Sequence, residues 1–70
     1  MARLVLTDLD AGLYFDNGGW TADHKIAQAF PDRSAVSKAA KEFKVKNAAA
    51  ALIEGDPGQV RGYFWVTDSN

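Results

Sequence analysis

One stretch of the chain has a clear helical period, and it limits what the remaining residues can build. Val36, Ala39, Ala40 and Phe43 recur at spacings of three and four, which lines a single face of about three helical turns. Asp32 stands where an N-cap is wanted, and Pro31 before it prevents backward extension. The period fails at Val45-Lys46-Asn47, so the helix is expected to end between Lys44 and Asn47. One such stripe cannot form a core by itself, and the other apolar segments are too short and too rich in turn residues to supply a second helix.

Those segments read as strands. Arg3–Thr7 contains Leu4-Val5-Leu6 and stops at Asp8-Leu9-Asp10-Ala11-Gly12. Leu13-Tyr14-Phe15 follows and ends at Asp16-Asn17-Gly18-Gly19, whose Asn-Gly step favours the positive φ of a hairpin turn and should return Trp20-Thr21 alongside. From Ala22 to Phe30 two readings stay open: Thr21 or Asp23 can cap a helical turn, and Ile26, Gln28 and Phe30 also alternate as a strand would. Ala48–Glu54 and Val60–Thr67 flank Gly55-Asp56-Pro57-Gly58, a second reversal. The fold class is therefore α+β, with an antiparallel sheet of four or five strands and one helix packed on one face. The order is β-β-(short element)-α-β-β in a single domain over residues 1–70. Alanines 48–51 leave room for Phe43 or Phe64 to pack against the sheet.

Composition excludes several functional classes. With no cysteine and one histidine among 70 residues, a disulfide framework, a zinc finger and a cysteine nucleophile are ruled out. No apolar run approaches the roughly 18 residues of a membrane span, so a cytoplasmic protein without membrane contact is expected. His24 has no nucleophile placed to use it and reads as a turn residue. No catalytic residue, metal ligand or cofactor is expected, and the protein is read as a non-enzyme.

Three resemblances bear on function. Leu4-Val5-Leu6-Thr7-Asp8-Leu9-Asp10-Ala11-Gly12-Leu13 resembles the first motif of the haloacid dehalogenase family, which would make Asp8 a nucleophile and Asp10 an acid/base beside Mg²⁺. Ala11-Gly12 replaces the family's Gly-Thr, however, and the family's parallel sheet is not what these elements build. Arg61-Gly62-Tyr63-Phe64-Trp65-Val66 resembles the first signature of the RNA recognition motif, although Phe64 replaces a small residue and the signature falls in the wrong place in the chain. Trp20-Thr21-Ala22-Asp23, followed by Ala27 and Phe30, resembles a segment of short uncharacterised bacterial and phage proteins that joins a hairpin to a helix. That resemblance implies an α+β fold and no activity.

Two surfaces remain as candidates. In a regular strand Arg61, Tyr63 and Trp65 share one face, while Val60, Phe64 and Val66 share the other. With the helix on the Phe64 side, Tyr63 and Trp65 point outward with Arg61 and are joined by Tyr14 and Trp20, forming an aromatic surface for a protein partner or a second copy of the chain. Nucleic-acid binding is the alternative, either through Lys38, Lys41 and Lys44, which follow at spacings of three along the helix and offer an anion-binding stripe, or through base stacking on the Arg61/Tyr63/Trp65 face. The net charge of −1 argues against a dedicated nucleic-acid binder. The expectation is a non-enzymatic interaction module, self-associating as a homodimer in its simplest form.

Overall fold

The computed structural model describes residues 2–55 and 58–65. It contains β1 (Ala2–Asp8), β2 (Leu13–Asp16), β3 (Gly19–Thr21), α1 (Arg33–Glu42), β4 (Ala48–Glu54) and β5 (Gln59–Trp65). The five strands form one antiparallel sheet in the order β3-β2-β1-β4-β5, with α1 against one face. This is the α+β architecture the sequence implies, with Trp20-Thr21 supplying the fifth strand. Val66 and Thr67, placed by sequence in the last strand, lie outside the described residues. No helix among the described residues is long and apolar enough to cross a membrane.

The turns follow from local chemistry. Asn17 and Gly18 both have positive φ, 47° and 92°, so β2 and β3 join through the kind of turn that matches strand twist. After β1, the Asp8 carboxylate accepts the backbone N–H groups of Asp10 (3.0 Å) and Ala11 (3.4 Å), and Gly12 N–H closes on the Asp8 carbonyl at 2.8 Å. Asp10 in turn accepts from the Asn47 amide at 2.8 Å. Asp8 is thus a turn-builder, and its antiparallel sheet removes the basis of the dehalogenase-like reading.

Asp32 caps α1, accepting from Ala35 N–H at 2.9 Å. Val36, Ala39 and Ala40 are buried against Leu6, Phe15, Ala48 and Ala50. Alanine meets alanine there, which lets helix and sheet approach closely. The helix stops earlier than the apolar stripe implies. Phe43 is its C-cap, and Lys44 takes a left-handed φ of 57°, the usual way for a helix to end. Phe43 is consequently half exposed and packs at a tilt of 39° against Phe15, with ring centroids 4.8 Å apart, rather than completing the buried face. Lys44 leaves the helix and no longer extends the Lys38–Lys41 stripe.

The segment left open by sequence begins with a single hydrogen-bonded turn, Ile26 N–H to the Asp23 carbonyl at 3.2 Å, and does not form a full strand. It crosses the face opposite α1, burying Ala27 against Val5, Ala51 and Ile53, and Phe30 N–H then bonds to the Leu4 carbonyl at 2.8 Å as an isolated bridge to β1. Its course is held by long-range polar contacts. The Arg3 guanidinium donates to the carbonyls of His24 and Lys25, and the His24 Nε2–H donates to the Gly58 carbonyl at 2.8 Å. Each residue of the Trp-Thr-x-Asp segment has a packing role: Trp20 meets Phe15, Thr21 accepts from Asp23 N–H, and Asp23 accepts from Lys25 N–H.

Candidate functional site

The face opposite α1 divides into two halves. Residues 22–29 cover the half containing Arg3, Val5 and Ile53. In the other half Thr7 and Ala49 are fully buried, with Ala51 at the boundary where Ala27 also meets it, and the remaining covering comes from side chains on the outer strands. Tyr63 lies directly opposite Ala51 and Trp65 directly opposite Ala49 across β4–β5, while Tyr14 lies opposite Thr7 across β1–β2. Paired residues share a face, so Tyr14, Tyr63 and Trp65 lean over a floor of small side chains. The floor's only hydroxyl, on Thr7, is satisfied by the Leu13 carbonyl at 2.9 Å.

The phenols of Tyr14 and Tyr63 come within interacting range of each other over this floor. Burial chiefly, and then the interaction with Tyr63, push the Tyr14 phenol up to about 12, because both favour the neutral form. Tyr14 also packs edge-on against the His24 ring, with centroids 5.8 Å apart. The tyrosine pair is therefore a neutral bridge, anchored on one side by the segment that covers the other half of the face.

Outward exposure concentrates on β5. Tyr63 is 52%, Phe64 39% and Trp65 67% exposed, three consecutive aromatics on a strand that ends the sheet. Phe64 points to the α1 side, opposite Ala50, with the Arg33 guanidinium 5.1 Å above its ring. Arg33 also donates to the Trp65 carbonyl at 3.3 Å. A shallow open hollow lined by Arg33, Ser34, Ser37 and Trp65 lies at this junction.

Of the five residues expected on one aromatic surface, the structure brings together Tyr14, Tyr63 and Trp65. Trp20 is on the opposite face, opposite Phe15 in the β2–β3 ladder, where the rings pack at 5.6 Å. Arg61 is displaced by a bulge: Leu52 pairs with Gly62 but Ile53 pairs with Val60, so one extra residue breaks the alternation. Val60 accordingly packs with Ile53 and Val5 on the face of Tyr63, contrary to the strict alternation, and Arg61 is held by Glu54 at 3.3 Å. Lys38 and Lys41 are exposed on α1, which is packed on the other side of the sheet from Tyr63 and Trp65. Sequence reasoning missed Thr7, Ala49 and Ala51 as the floor of the surface; the signal was the run of small residues at alternating positions.

Comparison with protein-family models, with curated proteins and with solved structures finds no match to this chain.

Proposed function

We propose that the chain is a small non-enzymatic protein-interaction module that engages its partner through β5 and the adjoining Tyr14/Tyr63/Trp65 surface. Kinship with the short bacterial and phage proteins that share the Trp20–Phe30 segment is part of the proposal and adds no activity to it. The observation that carries the reading is the succession of Tyr63, Phe64 and Trp65, all more than a third exposed on a terminal strand. Isolated surface aromatics are ordinary, but a contiguous aromatic strip on a free edge is costly to leave in water and is typical of a recognition surface.

Nucleic-acid binding has less support. The exposed lysines of α1 and the Tyr63/Trp65 face lie on opposite sides of the sheet, Arg61 is engaged by Glu54, and Arg33 sits over Phe64 on the α1 side, so none of the cations expected from sequence is placed on the Tyr63/Trp65 face to hold a phosphate while a base stacks there.

Photo-cross-linking tests the proposal. With p-benzoylphenylalanine in place of Trp65, irradiation of expressing cells should give a discrete protein adduct that is absent when the same group replaces Lys38. Adducts at position 38 alone, adducts to RNA alone, or none at either position would overturn it.

A further inference from the structure

The partner of β5 can be specified from what its edge presents. The exposed aromatics lie on both faces of the strand: Phe64 on the α1 side, Tyr63 and Trp65 on the other. A single extended peptide laid along the edge would pair the backbone but leave most of both aromatic faces in water. Burying them needs a partner that continues the sheet and carries packed layers on both sides of it. Another copy of this chain has that form, with α1 on one side of its own β5 and the tyrosine bridge on the other.

Charge and register agree. The only charged residue within Gln59–Trp65 is Arg61, and Glu54 of the same chain compensates it. Within the strand itself no uncompensated charge therefore opposes the approach of two β5 edges. The bulge at Arg61 confines regular pairing to the stretch after it. A two-fold axis through Phe64 places Phe64 against Phe64 of the second copy, and Tyr63 against its Trp65 twice over, as cross-strand aromatic pairs.

The exposed parts of these six aromatics amount to roughly 600 Å². With the backbone edges and flanking side chains, the total comes near the ~1,200 Å² at the low end of specific interfaces. That size fits a reversible dimer.

We propose that the protein forms a two-fold homodimer in which antiparallel β5–β5 pairing centred on Phe64 joins two five-stranded sheets into one of ten. The proposal rests on the reading of β5 as the interaction strand and names its partner. Arg33 sits beside Phe64 in each copy and donates to the Trp65 carbonyl, an acceptor that β5–β5 pairing must share, so two guanidiniums flank the seam on the α1 side. Added salt screens them and strengthens association, the opposite of its effect on nucleic-acid binding.

Two measurements on the full chain decide it. Sedimentation equilibrium should give a mass approaching about 15 kDa, twice the 7.6 kDa of one chain, at several hundred micromolar, with a larger dimer fraction at higher salt. Because the chain has no cysteine, single-cysteine variants report the register. In the proposed dimer, residues 64 of the two copies have Cα atoms about 4.5 to 5.5 Å apart, within disulfide range, whereas residues 59 lie roughly 30 Å apart. Under oxidised glutathione, Phe64→Cys should form a covalent dimer at least about tenfold faster than Gln59→Cys. A monomeric mass throughout, or equal rates for the two variants, overturns the proposal. If the mass stays monomeric while the photo-probe at position 65 captures a different protein, self-pairing fails and the interaction reading stands. If neither occurs, both fail.

Discussion

Tyr14 on β2 and Tyr63 on β5 interact through their phenols although two strands, β1 and β4, lie between them. Three strand spacings separate the two backbones by roughly 14 Å, a gap that two tyrosine side chains close only by leaning inward. They can do so because the intervening positions are Thr7, Ala49 and Ala51. The alanine run thus serves both faces: Ala48 and Ala50 admit the helix, while Ala49 and Ala51 admit the tyrosine bridge.

Filling that floor should separate the bridge. Ala49→Leu puts a large side chain at a site only 1% exposed and is expected to cost about 1 to 3 kcal/mol. Ultraviolet titration should then show Tyr14 ionising closer to its ordinary value of 10.0. An unchanged titration in a folded variant would contradict the proposed geometry.

The bridge also makes stability depend on alkaline pH. Tyr14 ionises at 10.0 in the unfolded chain and at about 12 in the folded one, so the folded state favours the proton. Its contribution is fully present below pH 10 and is lost as pH rises from 10 to 12. Urea midpoints measured across this window should fall for the wild type and fall less for Tyr14→Phe. Identical slopes would remove Tyr14 as the cause.

Burial separates the residues of the α1 face. Leu6 is fully buried beneath the helix, and Leu6→Ala should cost about 3 to 5 kcal/mol, comparable to the net stability of so small a domain. Phe43→Ala, at a half-exposed helix end, should cost about 1 to 2 kcal/mol. Chemical denaturation giving equal losses would mean that Phe43 is buried after all.

Two backbone positions give opposite signs. Lys44 has a left-handed φ of 57°, so Lys44→Gly relieves strain at the helix end and should stabilise by about 0.5 to 1 kcal/mol. At Gly58 an added Cβ would lie 2.5 Å from Ile53 Cγ2, part of a side chain that is 1% exposed. Gly58→Ala should therefore destabilise by roughly 1 to 3 kcal/mol. Thermal melts of the two variants shifting in the same direction would refute the pair of assignments.

Features governed by neighbours in sequence were legible without the structure. The Asp32 cap, the Asn17-Gly18 turn and the strands beginning at Leu13 and Ala48 all follow from local preferences. Features governed by distant contacts were not. The bulge that detaches Arg61 from Tyr63 and Trp65 depends on the registry of Val60 with Ile53. Trp20 is assigned to the α1 side by its pairing with Phe15. The course of residues 22–30 was not decided by their local signals, which fit both a turn and a strand, because Arg3, Gly58 and Leu4 hold them in place. Alternation alone identifies the aromatic strip on β5 but not its separation from the basic helix.

The claim that β5 is the interaction strand is tested most directly by amide and indole NMR spectra of the uniformly labelled chain, recorded from about 10 µM to 1 mM, a range that brackets the affinity expected of a small interface. The predicted result is a concentration-dependent shift of the Gly62, Tyr63, Phe64 and Trp65 amides and of the Trp65 indole, with Lys38, Lys41 and the Trp20 indole unchanged. Shifts confined to α1, or spectra identical at every concentration together with no photo-adduct at position 65, would contradict it.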